Sequence, residues 1–97
     1  MADIGFLWDE VKYESVQEEH HVAFWEVVSA FDDPHCYEDI DPQGNEGRWM
    51  LVGRSASNRI LCIIFTDEDL PLIRVITAFD AEQEQINEYY TRQGSKS

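Results

Sequence analysis

The spacing of apolar residues changes along the chain, and each change marks an element. Ile4-Gly5-Phe6-Leu7-Trp8 is a short aromatic and β-branched run that predicts a strand. Asp9 follows as a helix N-cap, with Glu10 in the first turn where its charge suits the helix dipole, so a helix is expected to about Glu19. Phe24, Val27, Val28 and Phe31 recur at i, i+3, i+4, i+7 and predict a second helix over 24–31, stopped by Asp32-Asp33-Pro34. His35 to Glu46 is polar, with Pro42-Gln43-Gly44-Asn45 as a turn signal. Three strands are then expected. Arg48 to Ser55 joins Arg59 to Thr66 through Ala56-Ser57-Asn58, and Pro71 to Thr77 follows the solvated turn Asp67-Glu68-Asp69. Because Ile60 to Phe65 carries no charge, its strand is the expected centre of the sheet. Asp80 reads as the N-cap of a closing helix over 81–91, and residues 93–97 read as a disordered tail.

This order predicts an α+β domain over residues 1–92. It is an antiparallel sheet of three to four strands, with two N-terminal helices and a C-terminal helix covering one face. A length of 97 residues with 43% apolar content suffices for one modest core, which excludes a disordered chain. No run approaches the roughly 20 apolar residues of a membrane-spanning helix. The N-terminus lacks the cationic start of a signal peptide, and a cytoplasmic location without membrane contact is the expectation. In that compartment Cys36 and Cys62 are expected as free thiols, Cys62 in the core.

Charge changes the picture most. The formal net charge is -13, and its distribution is uneven. Residues 1–47 hold thirteen acids against Lys12, whereas residues 48–79 hold Arg48, Arg54, Arg59 and Arg74 against three acids. Residues 80–97 return to a net of -2. A surface that binds phosphate can be built only from the arginines of the middle segment. The remainder repels polyanions over about one Debye length, roughly 8 Å at physiological salt.

An ordered set of short motifs carries a resemblance. Trp8-Asp9-Glu10-x-Lys12, Val22-Ala23-Phe24 and Ala30-Phe31-Asp32-Asp33-Pro34 open the chain. Glu46-Gly47-Arg48-Trp49, Val52-Gly53-Arg54-Ser55 and Arg74-Val75-Ile76-Thr77-Ala78 follow, with Ala81 and Tyr89 beyond. Over roughly residues 6 to 90 this resembles the BrnT toxins. The resemblance implies a compact ribonuclease fold related to the RelE toxins and a bacterial type II toxin–antitoxin pair. It also implies a BrnA-like antitoxin as partner and RNA cleavage by basic residues of the sheet and closing helix. The departures are specific. Glu19 stands where the family has a lysine, Phe79 where it has an arginine, and the closing segment from Asp80 to Glu88 has no base.

Metal-independent RNA cleavage needs a proton acceptor for the 2′-hydroxyl, a cation for the phosphate and a proton donor for the leaving oxygen. His20, at a family position, is the candidate acid or base, and Arg48 and Arg74 are the candidate phosphate ligands. The competing expectation is that both arginines pair with the surrounding carboxylates and only brace the sheet. His20, His21, His35 and Cys36 do not match a closed zinc pattern, and the acids of 32–41 do not match a calcium loop, so neither metal nor cofactor is expected. Asp9, Glu10, Glu82, Glu84 and Glu88 are the expected contacts to a basic partner, either the antitoxin or another protein. RNA is a partner only if the site is active. The rival expectation is a non-enzymatic acidic module, or nucleic-acid mimic, that inhibits a basic nucleic-acid-binding protein.

Overall fold

The computed structural model describes residues 5–8, 21–44, 46–68 and 72–94. Within them the chain runs β1 (Gly5–Trp8), α1 (Phe24–Phe31), β2 (Tyr37–Ile40), β3 (Arg48–Arg54), β4 (Ile60–Thr66), β5 (Leu72–Asp80) and α2 (Gln83–Gly94). The sheet has the order β1-β5-β4-β3-β2. β2 to β5 form an antiparallel meander, and β1 adds in parallel to β5 with Gly5 opposite Leu72 and Trp8 opposite Val75. The helix expected over 9–19 lies outside the described residues.

β4 is central, as its apolar run predicts, and it dictates the layering. Leu61, Ile63 and Phe65 point to one face and Cys62, Ile64 and Thr66 to the other, and all six are buried. A strand that is apolar on both faces needs cover on both. α1 packs on the first face, where Val27 and Ala30 join Leu51, Leu61, Ile63, Phe65 and Val75. α2 packs on the second, where Tyr89 and Ile86 meet Val52, Cys62 and Ile60. The expectation of helices on a single face is therefore corrected to one helix on each among the described residues. Gly53 permits the close approach of α1, since a Cβ at that position would lie 2.6 Å from the Ala30 carbonyl oxygen.

Other departures follow from local chemistry. The antiparallel part of the sheet has four strands, as expected, but one of them, Tyr37–Ile40, is an edge strand in a segment whose acids read as loop, and β1 adds a fifth, parallel strand. An edge strand buries little, and only Tyr37 of its four residues is buried. β5 extends to Asp80, so Asp80 ends a strand instead of capping a helix, and α2 begins at Gln83. Gln93 and Gly94 belong to α2 and not to a disordered tail.

β5 also carries an irregularity that matters for the surface. Ile64 pairs with Thr77 but Phe65 pairs with Val75, leaving Ile76 as an extra residue. The extra residue inverts the alternation below it. Ile73 and Val75 face α1, and Arg74 is placed on the opposite face.

Candidate functional site

Among the arginines of the middle segment, Arg59 and Arg54 are held in structural networks, and Arg48 and Arg74 are the exposed ones. Arg59, at the start of the central hairpin strand, is engaged. Its guanidinium donates to Glu26 Oε2 at 3.0 Å, to Asp80 Oδ1 at 3.0 Å and to the His21 carbonyl at 2.7 Å. Glu26 is nearly buried and also accepts from Ser57 Oγ at 2.5 Å and from the Ala23 N–H at 3.2 Å. Burial alone would raise its pKa, but these donors and the Arg59 charge outweigh it and hold the carboxyl below its usual value. This cluster pins the start of α1 to the β3–β4 hairpin and the end of β5, and its geometry is accounted for structurally.

Arg54 is engaged as well. It donates to Tyr90 Oη at 2.8 Å and lies 5.9 and 5.7 Å from the ring centres of Tyr89 and Tyr90. Hydrogen bonds to Tyr89 and Tyr90 raise its pKa further. Tyr89, buried beneath α2, donates to Asp33 Oδ2 at 2.5 Å, and the same carboxylate accepts the backbone N–H of Arg54 at 2.8 Å and of His35 at 2.9 Å. Against the opposing effect of burial, these donors keep Asp33 below the usual carboxylate range. Tyr89 is shifted up, by burial first and by the Asp33 bond second.

Arg48 and Arg74 are the exposed pair. Arg48 pairs with Thr66 across β3 and β4, and Thr66 pairs with Arg74 across β4 and β5. Directly opposed residues share a face, so Arg48, Thr66 and Arg74 form one row on the α2 side. Two strand spacings, about 10 Å, separate the two arginine backbones, and their long side chains can converge on one phosphate. Among the described residues Arg48 makes no ion pair. Beside the row lies a cleft of about 210 Å³, with Ile64, Ile76 and Phe79 as its apolar lining and Arg48, Asp41, Gln43 and Thr77 as its polar lining. Asp41 is buried and accepts the Gln43 N–H at 3.0 Å.

Thus the structure brings Arg48 and Arg74 together on one face. His20, Asp9 and Glu10 lie outside the described residues. Glu82, Glu84 and Glu88 are exposed at the closing helix, and Glu88 is held by Arg92 at 2.7 Å. Among the described residues no three His, Cys, Asp or Glu side chains are grouped as metal ligands. The part of Asp41 and Gln43 in the cleft was not legible, because β2 itself was not. The Asp33–Tyr89–Arg54 network joins residues far apart in sequence and leaves no local signal.

Residues 8–85 match the family model of the ribonuclease toxin BrnT of type II toxin–antitoxin systems. The chain belongs to this BrnT family. The crystal structure of the ribonuclease toxin BrnT of Brucella abortus is similar in fold, with a TM-score of 0.60 and 21% identity over 84% of this chain and all of that one. No curated protein matches the sequence. Phe79 lines the same cleft as Arg48.

Proposed function

We propose that this BrnT-family protein is the toxin of a type II toxin–antitoxin pair whose nuclease site is present in outline but weakened. The observation that carries the reading is the cleft itself. Arg48 stands in it and Arg74 shares its face, while Phe79, in the same cleft, stands where the resemblance to the BrnT pattern implies a further arginine. A phenyl ring cannot donate to a phosphate, and losing one such donor typically slows cleavage by ~10²–10³. The closing helix compounds the loss, since Glu82 and Glu84 bring negative charge where the family pattern brings bases, opposing RNA approach. His20 is the proton donor or acceptor of this reading.

Type II toxins pair with a protein antitoxin, and a BrnA-like protein is the partner of this proposal. Exposed Glu82 and Glu84 steer a basic partner toward the protein, as complementary charge accelerates encounter. The test is induced expression with and without the adjacent gene. Growth slowed by this protein alone and restored by co-expression supports the reading. Unimpaired growth, together with no complex between the two products, overturns it.

A further inference from the structure

Among the described residues β2 ends the sheet, and no strand pairs with its outer side. Asp41 N–H donates inward to the Arg48 carbonyl at 3.3 Å. By the alternation of an antiparallel ladder, Tyr37 and Asp39 also face β3 with their backbone groups, and Glu38 and Ile40 present theirs outward. Among the described residues, the outward Ile40 N–H donates to the neighbouring Asp39 carboxylate, at 2.8 Å. Ile40 is 65% exposed and sits opposite Trp49, itself 37% exposed, so an apolar pair lies against this edge on the α1 face. Open edges are normally blunted by charge, and an exposed isoleucine beside a tryptophan works against that protection.

The charges at the edge select what it accepts. Glu38 and Asp39 are exposed and are not balanced by any base on β2. A second copy pairing here antiparallel would bring these acids against their own counterparts, and like charges facing across strands destabilise the pair. A strand bearing lysine or arginine, with an apolar residue to cover Ile40 and Trp49, meets complementary charge instead. We propose that the β2 edge is the docking site for an extended, cationic segment of the antitoxin, which adds to the sheet as a sixth strand beside β2. The proposal rests on the toxin reading given above and names the surface through which the partner acts.

The test uses the antitoxin encoded beside this gene, as a full chain, and measures amide hydrogen exchange by NMR in the free toxin and in the complex. The expected result is residue-specific: the outward amides of Glu38 and Ile40 slow at least about tenfold on binding, whereas the inward amides of Asp39 and Asp41 are already slow in the free protein. Ile40→Lys, at an exposed position, is expected to weaken binding at least about tenfold with an unchanged circular dichroism spectrum. A complex that forms with the Glu38 and Ile40 amides still fast overturns the docking site and leaves the toxin reading standing. Absence of any complex overturns both. A homodimer formed through β2, seen as the same protection without antitoxin, also overturns the proposal.

Discussion

Replacing Tyr89 by phenylalanine isolates one hydroxyl in the network that fastens α2 to the sheet. The ring stays, so no cavity opens, and Tyr89 is 1% exposed. What is lost is the donor to Asp33 Oδ2, at 2.5 Å, together with a partner of Arg54. A hydrogen bond to a charged group contributes about 1.5–3 kcal/mol. The carboxylate keeps the backbone N–H groups of Arg54 and His35, which limits the penalty, and a loss of about 2 kcal/mol is expected. With a urea m-value of about 1.5 kcal/mol/M, the midpoint should fall by roughly 1.3 M with m unchanged. The pH dependence gives a second reading. Asp33 titrates below its usual 3.8 in the folded state, so the bond stabilises the protein above that value and its contribution disappears as pH falls through the folded pKa. The cost of Tyr89→Phe should be full at pH 7 and shrink as pH falls below 3.8 and through the lowered folded pKa of Asp33. A shift under about 0.3 M, or a shift that does not shrink as the pH is lowered into acid, would refute the assignment of this energy to the Asp33 bond.

Further outcomes follow from the same structure. Ile63→Ala, at a position with no exposure in the central strand, should cost about 2–5 kcal/mol in urea unfolding; a neutral effect would misplace the core. Glu26→Gln should destabilise by about 1–3 kcal/mol at neutral pH. Because the folded pKa of Glu26 lies below its usual 4.5, the difference from wild type should close as pH falls below that value, and a gap that persists in acid would contradict the assigned ion pair. Glu82→Lys with Glu84→Lys should slow antitoxin association and flatten its salt dependence, measured by biolayer interferometry; unchanged rates would remove these acids from the encounter.

Much of the fold was legible because strongly apolar segments leave few choices. The i, i+3, i+4, i+7 spacing of Phe24, Val27, Val28 and Phe31 corresponds to α1 at both of its ends. The uncharged run from Ile60 to Phe65 identified the central strand. That same run implied cover on both faces, an implication the one-sided layering missed. β2 was illegible because a four-residue edge strand can be acidic at two of its positions and still pair. The candidate site was legible in composition but not in arrangement. Which arginines are held in structural networks depends on partners distant in sequence, Glu26 for Arg59 and Tyr90 for Arg54. The placement of Arg74 depends on the single extra residue Ile76, which no local pattern announces.

The weakened-site account is tested most directly by cleavage of RNA by the purified protein, compared with Phe79→Arg and Arg48→Ala. Phe79 and Arg48 line one cleft, so an arginine at 79 should restore a donor beside the remaining cation. The account predicts slow cleavage by wild type, a gain of at least about tenfold in Phe79→Arg, and loss of activity in Arg48→Ala with folding retained. Fast wild-type cleavage that neither substitution changes would contradict it.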